Sequence, residues 1–137
     1  MRLFLVSLLA ITVAAPVLAQ TFRAVNRLYV VPLSADTFEV IEDRGVGGRG
    51  LWCAASDYVR AIGRDSSRKR MYILEPRGDA KTVPNRKSVV FTLAPDDKLR
   101  NTPPSYSVSV TRAGENLEVG HAYTFCQAII DELFDRF

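Results

Sequence analysis

The chain contains a single histidine, His121, and this scarcity excludes an H-E-x-x-H metal helix and any mechanism that needs two imidazoles. Its two cysteines, Cys53 and Cys126, are too few for a four-thiolate zinc site. They are also too far apart in sequence to form a C-x-x-C redox pair. No serine occupies a G-x-S-x-G elbow, so the motif of an α/β-hydrolase is missing. Excess charge of one sign is scarce too, with 18 basic against 15 acidic residues and a net charge of +3. Nucleic-acid binding usually needs basic residues concentrated on one face, so no nucleic-acid partner is expected. No metal and no cofactor are expected either.

Long hydrophobic runs are confined to the first residues. After Ala19 no apolar stretch approaches the roughly 18 residues that span a bilayer. Before it, Arg2 precedes an apolar run over 3–17 broken only by Ser7, Thr12 and Pro16, and Val17-Leu18-Ala19 ends in residues suited to cleavage. Residues 1–19 therefore read as a secretory signal peptide cut before Gln20. The expected mature chain has no transmembrane segment and is periplasmic or extracellular. Gln20 stands where a lipoprotein would carry its cysteine.

Residues 20–137 lack repeats, low-complexity blocks and Ser/Gly/Pro linkers, and are expected to form one small globular domain. Residues 26–33 and 37–41 are β-branched and aromatic runs separated by Ser34-Ala35-Asp36, the pattern of a hairpin, with Pro32 placing the first strand at an edge. Residues 51–62 carry Leu51, Ala55, Tyr58 and Ile62 on one helical stripe, and Gly63 stops them. Further strands are expected at 71–74, 88–93 and 106–111. In the last of these Tyr106, Val108 and Val110 alternate with Ser105, Ser107, Ser109 and Thr111. A second helix is expected over 121–137, with Ala122, Cys126, Ile129, Leu133 and Phe137 near one face. The order ββαβββα predicts an α+β fold: an antiparallel or mixed sheet of about five strands with two helices packed on one face.

Export changes the meaning of the cysteines. Cys53 lies with Ser56, Asp57 and Arg60 on the polar side of the first helix, whereas Cys126 lies in the apolar stripe of the second. In an oxidising compartment the expectation is a structural disulfide between the two helices.

Three other features bear on function. Gly45, Gly47 and Gly50 match G-x-G-x-x-G before a helix, and Gly47, Gly48 and Arg49 could hold an anion at its N-terminus. The main reading is a connection that needs glycine for its backbone angles, since the sheet looks antiparallel and Asp65 falls in a polar loop. Arg68, Lys69 and Arg70 form the most basic stretch, a polyanion surface or simply a solvated loop. His121 is the one imidazole available for acid/base work, and the carboxylate pairs Glu42/Asp43, Asp96/Asp97 and Asp131/Glu132 have the adjacency of solvated turns. Trp52 is expected to be buried against the sheet.

Together these residues describe an exported, disulfide-stapled, non-enzymatic binding module whose partner is a protein or envelope component. The alternative is a small secreted hydrolase using His121 and carboxylates. A second alternative is anion binding through the glycine loop.

Overall fold

Alternation of apolar side chains in the N-terminal half produces a meander that a later hairpin completes. Residues 20–64, 66 and 68–136 are described in a computed structural model. The expected leader, Asp65 and Phe137 lie outside them. β1 (Phe22–Arg23), β2 (Tyr29–Pro32), β3 (Thr37–Ile41), β4 (Arg70–Asp79), β5 (Lys87–Thr92) and β6 (Asn116–Glu118) form an antiparallel sheet in the order β1-β2-β3-β5-β4-β6. α1 (Gly47–Ala61), α2 (Asp97–Arg100), α3 (Val119–Thr124) and α4 (Gln127–Phe134) complete an α+β fold with one more strand and two more helices than expected.

The hairpin turn forms as Ser34-Ala35-Asp36 implies. Ser34 Oγ accepts from the N–H groups of Asp36 and Thr37 at 3.3 and 3.2 Å, stabilising the reversal locally. β1 runs beside only Tyr29 and Val30, so Pro32, which has no N–H to donate, falls beyond it.

One sheet face carries Val30, Phe38, Val40, Met71, Ile73, Val89 and Phe91 into a core shared with Leu51, Trp52, Ala55, Tyr58 and Val59 of α1. Trp52 is buried as expected, its ring 4.9 Å from that of Phe91 in an edge-on contact, and Tyr58 sits 4.7 Å from Phe38. On the other face, Glu39, Ile41, Tyr72, Ser88, Val90 and Thr92 are buried as well.

The side of α1 that looks polar in sequence is a second packing face. Cys53 and Ser56 are fully buried, and Cys53 is bonded to Cys126 in the disulfide that joins α1 to the α3–α4 junction. Asp57 Oδ2 accepts from the Val25 N–H at 2.8 Å, and the Arg60 guanidinium lies 3.9 Å from the centre of the Tyr123 ring. Asp57 and Arg60 are thus engaged by neighbouring residues, although Arg60 remains exposed.

The strand expected over 26–33 is observed only at Tyr29–Pro32, because residues 25–27 form a turn, and three further expected elements differ from those observed. Residues 106–111 form no strand and belong to no sheet. The N–H groups of Ser107, Ser109 and Thr111 donate to the hydroxyls of Ser105, Ser107 and Ser109, two residues earlier, at 3.3, 3.1 and 3.4 Å. Alternating hydroxyls therefore offer the backbone a local partner in place of a neighbouring strand. The carbonyls of Val108 and Val110 accept from Trp52 Nε1 at 3.2 Å and from the Arg77 N–H at 2.8 Å. Second, β4 continues through Pro76 and Gly78 instead of ending at 74, because bulges between Ile73 and Glu75 and between Glu75 and Gly78 take up the irregular residues. Third, the expected C-terminal helix is broken at Phe125–Cys126 into α3 and α4. Cys126 is held at this break by its bond to Cys53, and α4 beyond it has no fully buried residue.

α1 also begins four residues earlier than its apolar stripe. Gly47, Gly48 and Gly50 lie in its first turn and Gly45 precedes it; Gly45 and Gly47, at φ 63° and 66°, take a backbone angle that favours glycine.

Candidate functional site

The segment leading to the serine-rich run is anchored from below. Ser105 Oγ donates to Glu115 Oε2 at 2.6 Å, and Glu115, itself buried, also accepts from the exposed Arg112. Together with the Trp52 and Arg77 contacts to Val108 and Val110, this fixes the backbone on both sides of Tyr106. Tyr106 nevertheless points outward and is 91% exposed, although its place in the apolar alternation predicted a core-facing ring. The misreading follows from the missing sheet: without a partner strand, alternation does not define a buried face.

Tyr106 forms one wall of a cleft of about 320 Å³ that also includes Arg70, Ser105, Leu117, Glu118 and His121. β6 supplies Leu117 and Glu118, and α3 follows immediately, so His121 arrives one turn later on the same side. The half-buried His121 ring lies 6.3 Å from Tyr106 and 5.5 Å from Phe125, making an aromatic row. Arg70 Nε donates to Asn116 Oδ1 at 2.8 Å, and Arg70 Nη1 meets Glu118 Oε1 at 3.4 Å. Glu118 is thus a partly exposed, ion-paired carboxylate.

The expected basic stretch divides between two environments. Arg70 lines the cleft and is engaged across the β4–β6 pair, Lys69 uses its backbone carbonyl to receive the Val119 N–H at 2.7 Å, and Arg68 stands exposed in the preceding turn. Gly47, Gly48 and Arg49 lie in the first turn of α1. A Cβ on Gly48 would stand 2.2 Å from the Val108 carbonyl oxygen, so glycine there permits close passage of the serine-rich segment. The Arg49 guanidinium lies 5.6 Å from the Phe125 ring centre. Among the described residues no cluster of His, Cys, Asp and Glu has the makings of a metal site. Of the adjacent carboxylate pairs, Asp96 caps α2 by accepting the Leu99 N–H at 2.8 Å, Asp43 meets Arg86 at 3.3 Å, and Asp131 accepts from Gln127 at 3.0 Å. None of them enters the cleft.

Gly48→Ala is expected to cost about 1–3 kcal/mol, the usual penalty for overpacking, because Val108 must move and its bond to Trp52 must stretch. Urea denaturation measures the loss. Trp52 fluorescence should change in the folded variant; an unchanged midpoint and spectrum would mean that the segment can lift without consequence.

Two residues escaped the sequence reading. The alternation around Tyr106 points its ring to the core, whereas Pro103-Pro104 immediately before it is the sign that no sheet strand starts there. Glu39 carries no signal in the alternation of 37–41, yet it is a fully buried carboxylate beneath the β4–β5 connection. No known protein family, characterised protein or solved structure matches the chain.

Proposed function

We propose that the chain is an exported, non-enzymatic binding module of the cell envelope, and that it meets a protein or envelope component through the Tyr106–His121 cleft. The observation that carries this reading is Tyr106, held almost fully exposed on a segment anchored at Ser105, Val108 and Val110. A tyrosine on a fixed backbone presents a large amphipathic surface with few rotatable bonds to immobilise on association. The half-buried His121 extends the contact beside it over a floor formed by the buried Leu117, while Arg70 and Glu118 offer polar groups at the rim. Export is supported by the apolar leader with its cleavage pattern and by the Cys53–Cys126 bond, which an oxidising compartment would preserve.

The hydrolase reading retains one supporting observation, that His121 and Glu118 share the cleft. The ion pair of Glu118 with Arg70 favours binding over acid catalysis.

Photo-crosslinking separates the two readings. With Tyr106→p-benzoylphenylalanine in the native compartment, a reproducible adduct is expected that Lys98→p-benzoylphenylalanine, at another exposed site, does not give. Identical adducts from both positions would count against the cleft as a contact surface. Substrate turnover abolished by His121→Ala would replace binding with catalysis.

A further inference from the structure

A second groove, independent of the Tyr106 cleft, runs between the turn at 24–27 and α4. It has a volume of about 320 Å³, and its lining combines Arg27, Arg44, Arg136 and the carboxylate residue Glu132 with the apolar residues Ile129 and Leu133. The turn is fixed: the Arg27 N–H donates to the Ala24 carbonyl at 2.8 Å, Val25 N–H to Asp57 at 2.8 Å, and Asn26 Nδ2 to the Gly50 carbonyl at 2.7 Å. One wall is therefore rigid, while the other is the helix that follows the disulfide.

Arg27 and Arg44 adopt φ values of 68° and 55°, a left-handed backbone in which glycine or asparagine fits with less strain. Both of these arginines face the same groove. Two arginines beside an apolar wall, with the Glu132 carboxylate of the same groove engaged by Arg136, match an anion attached to an apolar group. Arg136 is already paired with Glu132 at 2.6 Å, and Arg44 has a looser contact with Asp43 at 3.8 Å. Arg27 and Arg44 are consequently the principal anion-holding groups.

We propose that this groove binds a monomeric anionic amphiphile, with its phosphate or carboxylate head on Arg27 and Arg44 and its apolar end along Ile129 and Leu133. A free molecule fits better than a membrane surface. α4 presents exposed Asp131 and Asp135 beside exposed Phe134, and those carboxylates would be repelled by an anionic bilayer.

Calorimetric titration of the chain from Gln20 onward with dodecyl phosphate, below its micellar concentration, tests the proposal. One-to-one binding is expected, and Arg27→Gly/Arg44→Gly should weaken it by about tenfold or more while melting no lower than the parent, because glycine relieves the left-handed angles. If the glycine pair fails to fold, Arg27→Asn/Arg44→Asn keeps compatible backbone angles and should show the same loss. Dodecanoate should bind at the same site, and inorganic phosphate should bind much more weakly. Equal binding by neutral dodecyl maltoside, by inorganic phosphate or by the arginine variants would overturn the proposal, as would binding seen only with anionic phospholipid vesicles. None of these outcomes depends on the Tyr106 cleft.

Discussion

Replacing both cysteines, as Cys53→Ala/Cys126→Ala, is expected to lower the stability of the protein by about 4 kcal/mol and its melting temperature by about 15 °C. The bond joins positions 73 residues apart. In the chain-entropy account, closing so long a loop removes many conformations from the unfolded chain, so the benefit rises with separation. The size of the effect is large against the roughly 5–15 kcal/mol that holds a typical domain together. Location adds a local component. Cys53 is buried in α1 on the side away from the sheet, and Cys126 forms the break before α4, a helix with no fully buried residue of its own. Alanine is the informative replacement because serine would leave hydroxyls buried at both positions. Thermal and urea melts with and without reductant provide the measurement. The parent should fall to the level of the double variant on reduction, and the variant should not respond. A parent that melts identically in both conditions would show the bond to be dispensable for stability.

The second large effect belongs to Glu39. Its carboxylate lies on the sheet face opposite α1 and accepts four hydrogen bonds: from the Lys81 N–H at 2.6 Å, the Thr82 N–H at 3.2 Å, the Thr82 hydroxyl, and the Ser88 hydroxyl at 2.6 Å. The residue fastens the connection at 80–86 onto the sheet. Burial pushes its pKa upward, but the hydrogen bonds from Ser88, Thr82 and Lys81 together outweigh this and hold it below the usual 4.5. Glu39→Leu is expected to cost about 3 kcal/mol, since the two backbone N–H groups cannot turn elsewhere as the hydroxyls can. Glu39→Gln should cost less, because its amide oxygen retains part of the acceptor capacity.

A carboxyl whose folded pKa is depressed contributes fully above its unfolded pKa and loses that contribution as pH falls through the folded value. The advantage of the parent over Glu39→Gln should therefore be constant near neutrality and shrink as the pH drops below about 4. Urea midpoints at pH 7 and pH 3 measure it. An equal difference at both values would mean that ionisation of Glu39 contributes nothing to stability.

The reasons for success and failure in reading these elements are physical. β3 was legible to the residue because a tight turn and alternating apolar residues agree there. The disulfide was legible because an expected export and a lone pair of cysteines leave few alternatives. Cys53 looked misplaced only because amphipathicity records polarity and not the neighbours that engage it; Asp57 and Arg60 are polar residues used in packing. Glu39 was hidden because the segment covering it is remote in sequence, more than forty residues away at Thr82. Of the cleft, His121 and Arg70 were singled out separately. Their proximity depends on the pairing of β4 with β6, and β6 is too short to give a periodic signal.

The row of hydroxyls over 105–111 has a consequence for how safely the chain folds. An extended run with valines and a tyrosine, left with unpaired N–H and C=O groups, is a template on which another molecule can add a strand, the first step toward aggregation. Here Ser105, Ser107 and Ser109 occupy the N–H groups of Ser107, Ser109 and Thr111, and contacts from Trp52 and Arg77 occupy the carbonyls of Val108 and Val110. The segment carries its own substitute for a neighbour. Tyr106 can stand exposed at its tip without turning the backbone beside it into an adhesive edge.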